Sequence, residues 1–437
     1  MKKVWLWGLA IALGLALAVP AMATDWSATG YISNAFFVTR NTEPGSDGAV
    51  DEDFDDFAMT RARLKLTARA SENLYGVLYF EMDSDKWGET ESGRNHMGKW
   101  GADRAAVEVK NVYLDFKVPG IEIPMWARVG IQPFAIRPAV FLYADGAGIT
   151  GRANFDVNDG KLTLGAGWGK VREYDYTDDY DIDVYYGLLD YKKKGFGFGL
   201  YGLYQFSDYR GDTEDIDMWW VGVYSDGKVG PVNYNFDFVY DGGSDDQEDV
   251  DYSGWLVRAV VTYPYEKFKF GLGGMYVSGD DVDDADDMEE FKGPVGSEST
   301  QILTDSVIVV GGWGSSAGGI GNAGFQKTLS YWPENDWGGF WGVRLFAEYK
   351  ALDWLTLMGQ VAYWGDTTED GDTFGDDADD DDDIGWEFDV GARINIYKNL
   401  VLRTAFGYLI AGDATDTAAA GSIDDPYAWV TTIMYTF

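Results

Sequence analysis

Residues 59–69 carry four cations, Arg61, Arg63, Lys65 and Arg69, at positions of one parity, with Thr67 among them. Ala62, Leu64, Leu66 and Ala68 occupy the positions between. A period of two puts the cations on one face of an extended strand and the apolar side chains on the other. On a helix of period 3.6 the same run would smear charge around the whole circumference. A strand of this kind separates water from an apolar medium. If that medium is lipid, each outward cation would cost about 2–4 kcal/mol at the bilayer midplane, so the four must face an aqueous interior. The chemistry open to charges fixed on such a wall is electrostatic.

The same parity turns Arg128, Arg152, Arg258, Arg344, Arg393 and Arg403 inward. It does the same for the acids Glu81, Asp83, Asp115, Asp156, Asp237, Glu348, Glu387 and Asp389. A basic stretch of wall opposed by acids sets up a transverse field that orders water and favours polar solutes over apolar ones. The bland alternative is that these charges pair across neighbouring strands inside a filled barrel. At about 18 strands, however, an interior is too wide for side chains alone to fill.

Bond-making chemistry has little to work with. The single histidine, His96, lies in the loop-like stretch Arg94-Asn95-His96-Met97, and there is no G-x-S-x-G motif. The chain has no cysteine, which rules out thiolate metal sites, iron–sulfur clusters and covalent haem attachment. The reading is therefore of a protein that is not an enzyme and carries no cofactor. An outer-membrane barrel hydrolase is a remote alternative. A sheath around a multihaem electron conduit is another, in which the chain would act as scaffold alone.

The elements that position these residues are strands. Runs 386–396 and 231–240 repeat the alternation, the first with Trp386, Phe388, Val390, Ile394 and Ile396 on the face opposite Glu387, Asp389 and Arg393. Strands are expected near 25–39, 57–70, 74–84, 105–117, 125–133, 147–157, 161–172, 182–193 and 196–207. They continue near 217–227, 231–242, 252–263, 267–278, 340–350, 354–364, 385–397, 400–410 and 427–437. That makes about 18 strands of an all-β, antiparallel, up-and-down transmembrane β-barrel, with 16 as the rival number. Short links at 71–73, 158–160, 194–195, 264–266 and 398–399 alternate with long ones at 40–56, 85–104, 243–251, 279–339, 365–384 and 411–426. Short periplasmic turns and long external loops are the expected asymmetry, and termini on one side require an even number of strands.

The N-terminus fits export. Lys2 and Lys3 precede an apolar stretch, 4–19, and Ala21-Met22-Ala23 offers small residues to a signal peptidase. Residues 1–23 are read as a cleaved signal peptide and 24–437 as one outer-membrane barrel domain. Aromatic residues make up 16% of the chain, with 18 Trp and 28 Tyr, and Gly is abundant at 56 residues. Barrels use such rings in two girdles at the membrane interfaces. No later stretch approaches the ~20 apolar residues of a spanning helix.

The net charge of -39 argues for a cation atmosphere and against nucleic acid as a partner. The acids concentrate in the long connections, above all Asp379, Asp380, Asp381, Asp382 and Asp383. Solvated, self-repelling loop tips are the simpler explanation. Weak divalent-cation binding that bridges to anionic surface lipid is the other, although no run matches the calcium-loop pattern.

At the C-terminus Tyr427, Trp429, Thr431, Ile433, Tyr435 and Phe437 alternate to a final aromatic residue. This resembles the terminal strand of outer-membrane barrels, which is read by the barrel-assembly machinery, with Phe437 as the assembly signal. With the signal peptide and the turn–loop alternation, the whole mature chain resembles the general bacterial porin superfamily. The resemblance implies a water-filled channel for passive diffusion of small hydrophilic solutes and ions. It also implies a homotrimer in the outer-membrane bilayer, with its lipopolysaccharide. In that family the third external loop folds inward and sets the constriction. The corresponding connection here, 133–146, contains Phe134, Ile136, Val140, Phe141 and Leu142, and the resemblance gives Arg137 and Asp145 the constriction role. The connection 279–339 is far longer than the ~12–15 residues at which structureless loops become unusual. Its Val307-Ile308-Val309-Val310 run fits either an inserted plug segment or an extra hairpin.

Overall fold

The computed structural model describes residues 24–42, 54–88, 106–138, 140–173, 180–209, 216–245, 249–281, 287–294, 297, 306–309, 339–371, 381–416 and 424–437. The side chains of Asp83, Ser84, Asp85, Tyr180, Ser207, Asp208, Tyr209 and Ile216 are outside the description. So are residues 1–23, His96, Asp379 and Asp380.

The wall consists of β1 (Asp25–Arg40), β2 (Phe54–Ser71), β3 (Leu74–Lys86), β4 (Glu108–Lys117), β5 (Met125–Ile136) and β6 (Leu142–Val157). It continues through β7 (Gly160–Arg172), β8 (Tyr180–Lys193), β9 (Phe196–Tyr209), β10 (Ile216–Val229), β11 (Val232–Asp245) and β12 (Trp255–Tyr265). It closes with β13 (Phe268–Val277), β14 (Phe340–Leu352), β15 (Leu355–Asp366), β16 (Asp383–Tyr397), β17 (Leu400–Ala411) and β18 (Tyr427–Thr436). Each strand pairs antiparallel with the next. β18 pairs back onto β1, so the sheet is a closed barrel of 18 strands and the rival number of 16 is set aside. Two short stretches, Val250–Tyr252 and Asp287–Met288, pair with each other at the loop end and add no stave.

The seam pairs β1 with β18 from Tyr31 opposite Thr436 to Arg40 opposite Tyr427, and at its end a glycine is required. Gly30 and Phe437 exchange both backbone hydrogen bonds, at 2.9 and 3.0 Å. A Cβ on Gly30 would lie 2.2 Å from the Arg63 carbonyl oxygen and 2.9 Å from the Phe437 ring, so no larger residue fits. A closed ladder leaves no unpaired edge, which is what lets strands cross an apolar layer.

Burial follows the alternation. Ser33, Ala35 and Phe37 of β1 are buried, whereas Ile32 and Phe36 are exposed. On β16 Glu387 and Asp389 are buried while Trp386, Phe388 and Val390 face out. The outward face is apolar and the inward face mixed, as the period of two requires. Connections at one end are tight: 158–159, for example, is a two-residue turn with φ of 45° at Asn158 and 60° at Asp159. Such positive φ at both positions matches the twist of a hairpin. Connections at the other end are longer, with one exception.

That exception corrects an expectation. The third loop-end connection is not the 14-residue stretch read from sequence, because β5 runs on to Ile136 and β6 begins at Leu142. Only 137–141 turn between them. The hairpin carries its apolar residues inward all the same: Phe134, Ile136, Val140, Phe141 and Leu142 are buried. The Phe141 ring stacks on Tyr201 of β9 with centroids 5.0 Å apart and lies 6.1 Å from Trp220 of β10. These partners lie across the interior, so the tip leans into the barrel rather than into water.

Of the connection 279–339, the described pieces also pack inward. Phe291, Val307, Ile308 and Val309 are buried, each burial worth about 1.5–3 kcal/mol. Of the two open alternatives, the described run Val307-Ile308-Val309 behaves as an insert and not as an extra hairpin of the wall. Ser297 stitches the insert to the leaning hairpin. Its Oγ donates to the Phe141 carbonyl at 2.9 Å and accepts from the Tyr143 N–H at 3.2 Å.

Candidate functional site

Several of the charges that the parity argument assigns to the inner face are engaged with one another. On β2, Arg61, Arg63, Lys65 and Arg69 stand opposite Ser33, Tyr31, Thr29 and Asp25 of β1. Glu81, opposite Arg63 on β3, is buried and accepts from Arg61 Nε at 2.5 Å and Arg63 Nε at 2.8 Å. Lys110 of β4 reaches Glu81 at 3.3 Å and Asp145 at 2.6 Å, and Asn111 donates to Asp145 at 2.6 Å. Lys65 and Arg69 form no ion pair among the described residues. Arg69 instead lies over the Tyr75 ring at 5.3 Å.

Sequence reasoning missed Lys110. Parity assigns Asn111, Tyr113 and Asp115 to the inside, which should send Lys110 out. The β3–β4 register shifts between Tyr79 and Phe80, so Lys110 is the extra residue of a bulge. A bulge re-aims one side chain at the cost of a ladder position, and no periodicity count detects it.

A second cluster holds Asp115, whose carboxylate is fully buried. Arg128, directly opposite on β5, reaches it at 2.8 Å, and Arg152 of β6 at 3.0 Å. A third spans the lumen. Arg137, at the hairpin tip with φ of 47°, bonds Asp226 at 2.8 Å and Asp237 at 2.8 Å, and its guanidinium lies 4.2 Å above the Tyr224 ring. Arg258 shares Asp237 at 3.2 Å. Burial works against the charge on Arg137, which lies outside the strands, but its hydrogen bonds to the two aspartates outweigh this and raise its pKa. Arg137 is thus a tether between hairpin and wall. Asp145 belongs to the Lys110 cluster instead.

The remaining sequence-predicted residues are scattered around the wall. Arg344 donates to Gln360 at 3.1 Å, and Glu348 pairs with Lys269. Arg393 and Arg403 stand directly opposite each other on β16 and β17. Asp156 is exposed near the turn end. Glu387 and Asp389 face inward but are covered by the inserted segment. Among the described residues no group of His, Cys, Asp and Glu could hold a metal ion. Below the hairpin tip, Arg137, Asp190, Lys192, Tyr224, Asn235 and Arg258 border a cavity of about 460 Å³.

A closed barrel of 18 strands with an apolar outer face, a charged inner face and loop-end segments folded into the lumen has the architecture of a transmembrane β-barrel. Solved structures share it. OpdK, an outer membrane protein from Pseudomonas aeruginosa, has a TM-score of 0.54 at 12% identity over 94% of this chain and 98% of that one. OccK9 (OpdG) from the same organism has a TM-score of 0.56 at 14% identity, covering 94% and 98%. OccAB3 from Acinetobacter baumannii has 0.55 at 13%, covering 94% and 99%. At such identities the likeness is one of fold. No protein-family model matches the sequence, and no curated protein does.

Proposed function

We propose that the protein is an outer-membrane porin, a water-filled channel for the passive diffusion of small hydrophilic solutes and ions. The observation that carries this reading is the closed 18-stranded wall with charge-bearing inward positions and apolar outward ones. A barrel of this width needs more than side chains to fill it. The two inserted segments narrow the lumen without replacing its charged lining, which favours selective over indiscriminate passage. In this reading Arg61, Arg63, Lys65 and Arg69 line the diffusion path, with Arg152, Arg393 and Arg403 contributing further around the wall. Residues 1–23 are the signal that exports the chain, and Phe437 is read by the barrel-assembly machinery. The mature barrel sits among outer-membrane lipid and lipopolysaccharide as a homotrimer, and it performs no catalysis.

Planar-bilayer recording of the purified, folded protein tests the channel reading. Discrete conductance steps, with reversal potentials that follow an imposed salt gradient, are expected. A correctly folded barrel that leaves the bilayer non-conducting at every voltage would overturn it.

A further inference from the structure

The insert meets the wall at a place whose chemistry a simple constriction does not require. Ser306 Oγ donates to both oxygens of the Glu387 carboxylate, at 3.0 and 2.8 Å. The backbone N–H groups of Val307 and Ile308 donate to its Oε1 at 2.8 and 2.7 Å. From the wall, the Trp364 indole N–H reaches Oε2 at 2.9 Å. Asp389, two residues on and on the same face, accepts from Gln360 at 2.5 Å and from the Val307 N–H at 3.3 Å. Its other oxygen, Oδ1, is buried and has no hydrogen-bond donor among the described residues.

Both carboxylates are withdrawn from solvent. Among the described residues neither forms an ion pair with Lys or Arg, and Arg344 is linked to Asp389 through Gln360. Two adjacent carboxylates served only by neutral donors are poorly compensated in a low-dielectric site. Hydrogen bonds to an ionised carboxylate are already stronger than neutral ones, but a guanidinium or ammonium adds a full opposite charge and presents several N–H groups from one centre. The hydroxyl and two consecutive N–H groups of the insert converge on Glu387 in the way such a group would. The unserved Asp389 Oδ1 marks an acceptor that they leave over.

Gly407 makes the close approach possible. It stands opposite Asp389 on β17, and a Cβ there would lie 2.5 Å from both Asp389 Oδ1 and Val307 Cβ. The wall is therefore shaped for Val307 of the insert to be pressed against Asp389.

We propose that Glu387 and Asp389 form a binding site for the cationic head of a solute, an ammonium or guanidinium group, and that Ser306, Val307 and Ile308 occupy it as an internal competitor. The role in permeation rests on the channel reading, whereas the site itself does not. A cationic solute displaces the polar contacts that Ser306, Val307 and Ile308 make to Glu387.

The test is a calorimetric titration of full-length protein, folded in detergent micelles, with methylguanidinium chloride against sodium chloride at equal ionic strength. Folding of every variant is checked by heat-modifiable gel migration. Ser306→Ala removes one of the competitor's contacts without touching the wall, and it should bind methylguanidinium about three-fold or more tighter than wild type. Glu387→Gln should bind about ten-fold or more weaker, and Asp389→Asn serves the same purpose if Glu387→Gln does not fold. Equal affinity in wild type and the carboxylate variants overturns the proposal, as does the absence of binding in both wild type and Ser306→Ala. Conductance of the same samples keeps the two readings apart. Non-conducting protein with the expected binding pattern removes the channel and leaves the site. Conducting protein whose binding ignores these substitutions removes the site alone.

Discussion

Arg137 at the tip of the β5–β6 hairpin and Asp237 on β11 are joined by two guanidinium–carboxylate hydrogen bonds, 100 residues apart in the chain. Asp237 is fully buried and Arg137 largely so, and Tyr224 closes the guanidinium face. Arg137 thus adds a polar tether to the packing of Phe141 against Tyr201 and Trp220.

Replacing Arg137 with Gln should loosen the tip, which Phe141 and Ser297 still hold. Arg258 remains to compensate Asp237, so the expected loss of stability is about 1–3 kcal/mol rather than collapse of the barrel. The wider passage should show as larger single-channel conductance and a lower thermal transition. Unchanged conductance would mean that the tip does not limit the path.

The exchange between Gly30 and Phe437 predicts a different defect. Deleting Phe437 removes the last backbone pair of the seam, and Gly30→Val drives a side chain into the Arg63 carbonyl. Both should lower the yield of the heat-modifiable folded form and leave the conductance of the surviving barrels near normal. Full yield with altered conductance would reverse the assignment from assembly to transport.

Sidedness is tested in intact cells. External protease or labelling reagent should reach 279–339 and 365–384 and spare the turns at 158–160 and 398–399. Cleavage at either turn would invert the topology.

The outline of the barrel was legible because lipid and water impose a period of two, and each residue obeys it locally. Arg63, Glu81, Asp115 and Asp237 could be placed on the inner face by counting alone. Three features could not. Lys110 depends on a bulge, which changes the count at one residue. The tethering role of Arg137 depends on Asp237, a partner set by how far the hairpin leans. The cover over Glu387 and Asp389 comes from Ser306, Val307 and Ile308, some 80 residues away, and nothing in local pattern announces that contact. Many of the inner charges also pair with one another, and which pairs form depends on neighbouring strands rather than on local pattern.

That pairing sharpens the prediction for ion selectivity. Acidic loop tips should enrich cations at the mouth, but exposed charges are screened within ~8 Å at physiological salt. Charges inside a confined, low-dielectric lumen keep more of their field. Arg61 and Arg63 share Glu81 with Lys110, and Lys110 also serves Asp145. Removing Arg61 alone leaves Glu81 with two cations. Lys65 and Arg69, by contrast, have no acid of their own among the described residues. Low salt should thus give mild cation preference, and raising the salt should move it toward anions as the loop field fades. Lys65→Gln with Arg69→Gln should raise the cation-to-anion permeability ratio about two- to five-fold at high salt. Arg61→Gln should do markedly less. Reversal potentials in a potassium chloride gradient measure both. Equal shifts from the two substitutions would show that pairing with Glu81 does not mute Arg61. No shift from either would show that β2 does not face the conducting path.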